Sequence, residues 1–177
     1  MSREVADQLR AAAVPAIVLN DTFRLAPWAD MLYAADVMWW VRNEPEALAF
    51  EGLKVTAMPN QRFPDLLCLR STGERGYDPD PACIRTGGNS GYQALHVAIQ
   101  AGAARILLCG YDMSAGNGGH WFGRHAAPLR NADASSYRRW IARFPDLGGR
   151  GADIVNCTPG SALECFPAGD LATELRR

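Results

Sequence analysis

The chain has 177 residues, 48% of them hydrophobic and 21% charged, and carries a net charge of −1. This length and balance describe one globular domain, residues 1–177, with enough apolar surface to fold without staples. The near-zero charge excludes a general affinity for nucleic acid or anionic lipid, and no apolar run is long enough to span a bilayer.

In chain order, Arg3 to Ala13 reads as an alanine-rich helix stopped by Val14-Pro15. The amino-terminal segment Met1 to Arg10 is polar and has no signal-peptide core. Ala16 to Leu19 reads as a buried strand, Asn20-Asp21-Thr22 as the loop after it, and Leu25 to Asp30 as a turn or short helix. Further strands are expected at Met31 to Ala34, Leu53 to Ala57 and Leu66 to Arg70. Ser71 to Ala82, with two glycines and two prolines, is expected to be a loop, and a candidate mobile lid.

Asn89 to Ala101 is predicted to be a helix with Gly91, Ala94, Leu95, Ala98 and Ala101 on one face, ended by Gly102. Arg105 to Cys109 reads as a central parallel strand covered on both faces. A glycine-rich loop follows from Tyr111 to His125, then a helix from Ser135 to Phe144 and a last strand at Asp153 to Asn156. Strands alternating with helices imply an α/β fold with a mainly parallel sheet and right-handed crossovers.

Five cysteines stand at positions 68, 83, 109, 157 and 165, an odd number without CxxC spacing. Cys68 and Cys109 lie in apolar runs and are expected to be buried, reduced thiols, which points to a cytoplasmic protein without a structural zinc site.

Ligands of open α/β sheets bind beyond the carboxyl ends of the strands. The turn Thr86-Gly87-Gly88-Asn89-Ser90-Gly91 should lie at that edge, because it opens a helix whose free amides and dipole attract anions. The same residues also suit an ordinary capping turn with Asn89 or Ser90 as cap. His120 and His125 are acid–base candidates in the glycine-rich loop, with incidental loop histidines as the plainer alternative. Asp112 could hold a ribose hydroxyl or merely stabilise its turn. Trp39-Trp40 could stack on a base, although paired tryptophans usually belong to the core. His96 is expected to pack or face solvent, and Arg138, Arg139 and Arg143 to form a solvated helix face.

Three stretches together resemble a known group of proteins. They are Leu19 to Trp40, Gly87 to Met113 (GGNSGYQAL…LLCGYDM), and His120 to His125 followed by Pro128 to Asn131. This pattern is similar to phage and prophage glycosyltransferase-like proteins related to the bacterial family 42 sialyltransferases. Motility accessory factors and the hydroxymethylpterin pyrophosphokinases are related groups. The resemblance implies a Rossmann-like, glycosyltransferase-like three-layer sandwich. The strand and Gly-Pro-Ser loop with which those families begin have no counterpart here; the two readings are a gene start that is short and a sheet that has lost its first strand.

Carried over by position, the resemblance implies donor contacts at Asn20, Ser90 and Gly91 and along Asn156 to Ser161, including Thr158; the turn residues Thr86, Gly87, Gly88 and Asn89, together with Asp21 and Asp112, complete the expected donor site. It implies a general base at His125 or His120. The ligand would be a nucleotide sugar, a CMP-linked donor among the candidates, with no tightly bound cofactor and no required divalent metal. The acceptor and any homo-oligomer stay open. Two alternatives stand beside glycosyl transfer: a non-catalytic nucleotide-binding or phage assembly protein, and a magnesium- and ATP-dependent phosphotransferase using Asp112, Asp36 or Asp21.

Overall fold

The computed structural model describes residues 1–57, 62–114 and 133–177. Helix α1 (Arg3–Ala12) leads into β1 (Ile17–Leu19), a 3₁₀ turn at Asn20–Arg24 and β2 (Met31–Tyr33). Helix α2 (Val37–Asn43), strands β3 (Leu53–Thr56), β4 (Leu67–Cys68), β5 (Arg70–Ser71) and β6 (Cys83–Ile84) follow. Then come α3 (Ser90–Gln100), β7 (Arg105–Leu108), α4 (Ala134–Ile141), a 3₁₀ turn at Phe144–Leu147, β8 (Asp153–Asn156) and α5 (Leu171–Glu174).

The fold is mixed α/β, and every described strand pair is parallel. One sheet has the order β1-β2-β3-β4, and two further pairs are β5-β6 and β7-β8. Ile17 stands opposite Met31, and Met31 opposite Leu53. The expected strand at Leu66 to Arg70 is split. The Leu69 amide still donates to Thr56 of β3 at 2.8 Å, but the next amide, Arg70, turns to Ala82 at 2.9 Å. The chain changes partner within one residue, which divides the strand into β4 and β5.

Capping chemistry fixes the two long helices. The Ser2 side chain accepts from the Val5 amide at 3.3 Å, and Ala13 closes α1 in the left-handed region. The Asn89 side chain accepts from the Tyr92 amide at 2.9 Å and starts α3. Helix α2 has its own cap, Asp36, which accepts from the Met38 amide at 2.7 Å. Its pattern is short and apolar on both sides, and the sequence reading passed over it.

Strand alternation sends neighbouring side chains to opposite faces. Val18 joins Ala6 of α1 in one cluster, whereas Ile17 and Leu19 join Val97 of α3 in another. At β7, Leu107 and, just past the strand, Cys109 join Val5 and Leu9 of α1, and Ile106 and Leu108 join Leu95 of α3. Helices α1 and α3 therefore cover opposite faces of both β1 and β7. The Trp39-Trp40 pair lies in the core, with edge-to-face contacts at 5.8 Å from Phe23 to Trp39 and 5.2 Å between the indoles.

Three expectations require correction. Cys68 is exposed, because β4 is a two-residue strand with both side chains facing solvent; Cys83 and Cys157 are the buried cysteines, and all five are free. Strand β7 is not covered throughout: Arg105, Ile106 and Leu107 are half-buried and only Leu108 is buried. The Ser71 to Ala82 loop is pinned, not loose. Gln100 donates to the carbonyls of Asp78, Asp80 and Cys83 at 2.8, 2.8 and 2.9 Å, and the Tyr92 hydroxyl donates to Gly76 at 2.7 Å. His96 Nε2 accepts from the Asp78 amide at 2.9 Å in the same corner.

Candidate functional site at the carboxyl edge

A cavity of about 1320 Å³ opens at the carboxyl ends of β1 and β7, where α3 begins. Its polar mouth is formed by Asn20, Asp36, Gly88, Asn89, Ser90, Gly91 and Asp112. Strand β1 delivers Asn20, which sits in the left-handed region at φ 47° and turns the chain sharply out of the sheet. That turn is braced by Arg24, which pairs with Asp21 and Glu46, while the Trp39 indole donates to Asp21 at 3.1 Å. Strand β7 delivers Asp112, which is exposed.

The glycine turn combines two needs. Gly87 and Gly88 have φ 56° and 76°, conformations that disfavour any side chain. A Cβ on Gly87 would meet the Tyr92 ring at 2.1 Å, and one on Gly88 would meet Arg143 Nη1 at 2.6 Å. Arg143 itself donates to the Gly87 carbonyl at 2.8 Å and pairs with Glu74. It is therefore a brace for the turn, not part of the solvated face that Arg138 and Arg139 do form.

The turn's amides divide. Gly87 donates to Glu74 at 2.8 Å and Asn89 to Thr86 at 3.2 Å. The amides of Gly88, Ser90 and Gly91 have no hydrogen-bond partner among the described residues. Three free donors at the start of an eleven-residue helix, beside an open mouth, form a suitable seat for an oxyanion. The buried Asn89 Nδ2 is also without a partner among the described residues, while the side chain's oxygen caps the helix.

The remaining residues expected at the site fall elsewhere. Thr86 and Gly87 support the turn from behind, the Thr86 carbonyl accepting from Gln93 at 2.8 Å. Asp21 is occupied by Arg24 and Trp39. Asn156 is 4% exposed, donates to the Leu163 carbonyl at 3.0 Å and accepts from the Thr158 amide. Thr158 accepts from the Tyr111 amide at 2.9 Å, and Ser161 donates to the Tyr111 carbonyl. These three side chains shape the β7 and β8 turns and do not line the cavity. His120 and His125 lie outside the described residues.

Two aromatic residues at the mouth escaped the sequence reading. Tyr137 and Trp140 of α4 line the cavity and form an edge-to-face pair at 5.4 Å. Their three-residue spacing on a helix, which puts both on one face, was the available signal. Burial, with the Asp112 carboxylate nearby, raises the Tyr137 hydroxyl above its ordinary pKa. Cys109 lines the apolar interior; burial pushes its thiol up to about 12, so it is an apolar wall and not a nucleophile.

Among the described residues, no three His, Cys, Asp or Glu side chains gather as a metal site. No described helix is long and apolar enough to cross a membrane. The chain matches no family model, and comparison with curated proteins and with solved structures gives no match.

Proposed function

We propose that the mouth binds a nucleotide-activated donor, a nucleotide sugar, and that the chain is a glycosyltransferase-like domain of Rossmann-like, three-layer architecture. The observation that carries this reading is the trio of amides at Gly88, Ser90 and Gly91, which have no partner among the described residues and belong to residues that line a cavity at the carboxyl edge. A phosphate takes up such donors at a helix start, where the peptide dipoles also favour it. Asn20 and Asp112, on either side, are placed for ribose or sugar hydroxyls. Tyr137 and Trp140, set edge to face, offer aromatic contacts for a base or a sugar ring. The parallel strand pairs and the helices on both faces of β1 and β7 support the architecture.

In this reading the protein's contribution to transfer is positioning and electrostatic stabilisation of the departing nucleoside phosphate by the three amides. His125, or His120, takes the proton of the acceptor hydroxyl. A non-catalytic nucleotide-binding role is the second reading; the continuity of the mouth with the long apolar cavity behind it, where no described histidine supplies an acid–base group, favours it. Calorimetry with nucleoside mono- and diphosphates and nucleotide sugars tests both. Heat of binding that is lost in Gly88→Ala supports the phosphate seat. Absence of binding at millimolar concentration rejects it. Turnover that disappears in His125→Ala and His120→Ala separates catalysis from binding alone.

A further inference from the structure

The loop at 71–82 holds the glycine turn from behind. The Thr86 amide donates to the Gly73 carbonyl at 2.9 Å, and the Gly87 amide to the Glu74 carbonyl at 2.8 Å. The Tyr92 hydroxyl, in the first turn of α3, donates to the Gly76 carbonyl at 2.7 Å, and Arg143 links the Gly87 carbonyl to the Glu74 carboxylate. Residues 73–76 therefore set the position of the backbone that carries the amides of Gly88, Ser90 and Gly91. Donors aimed at a ligand act only while the chain bearing them is fixed, so whatever releases this loop also loosens the mouth.

The foot of the loop rests on a histidine. His96 of α3 is fully buried and meets the Tyr77 ring edge to face at 4.8 Å. Its Nε2 accepts from the Asp78 amide at 2.9 Å. Nε2 therefore carries no proton, and the single proton of the neutral ring sits on Nδ1. That nitrogen is buried and has no partner among the described residues. A second proton would set an imidazole N–H against the Asp78 N–H, two donors where one hydrogen bond had been. The cation so formed has no acceptor at either nitrogen in a site that excludes water.

The charged groups around the ring are already engaged. On the loop, the Asp78 carboxylate accepts from the Thr72 hydroxyl at 2.6 Å and from the Asp80 amide at 3.1 Å, and these bonds hold it below the usual carboxylate range. The Asp80 carboxylate accepts from the Ala82 amide at 2.9 Å. Arg85, which follows β6, brings a second cation to the corner, its Nε 3.9 Å from Asp78 and its Nη1 donating to the Thr72 carbonyl at 2.6 Å. Arg150 stacks on the outer side of Tyr77, 5.3 Å from the ring centre. On α3 itself, Tyr92 and Gln100, one turn either side of His96, are neutral and spend their donors on loop carbonyls.

We propose that His96 is a proton-operated latch for the 71–82 loop: its protonation breaks the bond to the Asp78 amide, detaches the Gly73 and Glu74 carbonyls from the glycine turn and so unseats the candidate ligand site in mild acid. The release is a property of the corner itself; its effect on a ligand rests on the phosphate seat proposed above. Opening returns the imidazole to water, so added protons favour the open loop. Burial lowers the ring's pKa from 6.5 to about 4 in the closed corner, and the ratio of open to closed loop therefore rises about twentyfold from pH 7 to pH 5.

Hydrogen exchange in the ligand-free chain, corrected for the pH dependence of the chemical step, is read at the amides of Asp78, Thr86 and Gly87. Expected is a loss of protection of about twentyfold between pH 7 and pH 5 that urea below the unfolding transition does not change, the mark of a local opening. His96→Gln keeps an acceptor for the Asp78 amide and does not titrate, so its protection should be equal at the two pH values. Protection that is unchanged or greater at pH 5 in the parent overturns the latch, as does an equal loss in His96→Gln. The ring carbon shifts of His96 in the parent decide the matter even if the variant does not fold: a ring pKa near 4 is required, and a value of 6.5 or above overturns the proposal, because the closed corner would then accept the proton. Calorimetry with a nucleoside monophosphate reads the consequence, a fall in affinity from pH 7 to pH 5 that is larger in the parent than in His96→Gln. Absent binding at pH 7 with the exchange pattern intact rejects the phosphate seat and leaves the latch; binding with unchanged protection rejects the latch and leaves the seat.

Discussion

Tyr111, just after β7, donates its hydroxyl to the carbonyl of Gly91 in the first turn of α3, at 3.1 Å, and so ties the two sides of the candidate site together. The ring is 9% exposed and packs against Phe144 at 6.0 Å, so the phenol keeps its apolar contacts if the hydroxyl is removed. Tyr111→Phe is expected to cost about 1 kcal/mol, the usual worth of one buried hydrogen bond. Urea unfolding measures that loss, and nucleotide affinity in the variant should fall because the Gly91 amide is no longer held at the mouth.

The glycine turn separates steric need from backbone strain. Gly87→Ala places a methyl within 2.1 Å of the Tyr92 ring at φ 56°. Overpacking and left-handed strain together should cost about 2–4 kcal/mol. Gly76→Ala has a similar sign of φ, +85°, but nothing within 4 Å, and should cost only about 1 kcal/mol. Equal unfolding midpoints for the two variants would show that Tyr92 does not confine the turn.

His96 makes stability depend on pH in a defined window. It is fully buried, and burial lowers its pKa from 6.5 to about 4, against a smaller opposing pull from Asp78. The folded state thus binds fewer protons than the unfolded chain at mildly acid pH. The contribution is whole above pH 6.5 and is lost progressively as the pH falls towards 4. His96→Gln should flatten the urea midpoint between pH 7 and 5 relative to the parent protein, whatever it does to stability at pH 7.

Gln100 holds the 71–82 loop through three carbonyls. Gln100→Leu keeps the size of the side chain and removes its donors. Exchange at the Asp78 amide and tryptic cleavage at Arg75 should both accelerate, while the amides of β2 remain unaffected. Unaltered cleavage would mean that His96 and Tyr92 suffice to fix the loop.

Much of the architecture was legible in local signals. The α1, α3 and β8 segments lie within one residue of where periodicity and caps put them, because Ser2, Asn89 and the apolar run at Ile154 act locally. The break at Leu69 was not legible, since it arises from a change of hydrogen-bonding partner between Thr56 and Ala82, distant in sequence. The burial of Cys68 was misjudged for the same reason: an apolar run does not reveal that its strand is short and open to solvent.

The cavity mouth was legible at its glycine turn and at Asn20 and Asp112, which loop chemistry places at strand ends. The sequence could not show that Asn156, Thr158 and Ser161 spend their side chains on neighbouring backbone. Nor did it distinguish Arg143, which turns inward to Gly87, from Arg138 and Arg139 one turn earlier. The face of small and apolar residues read on α3, Gly91, Ala94, Leu95, Ala98 and Ala101, lines the cavity.

Backbone amide chemical shifts, followed while nucleoside phosphates and nucleotide sugars are titrated into the protein, test the central claim most directly. The account predicts saturable shifts at Gly88, Ser90 and Gly91, with the amides of Gly87, Asn89, Thr158 and Leu163 little moved because protein groups already hold them. Shifts confined to residues away from the start of α3, or none at millimolar ligand, would contradict it.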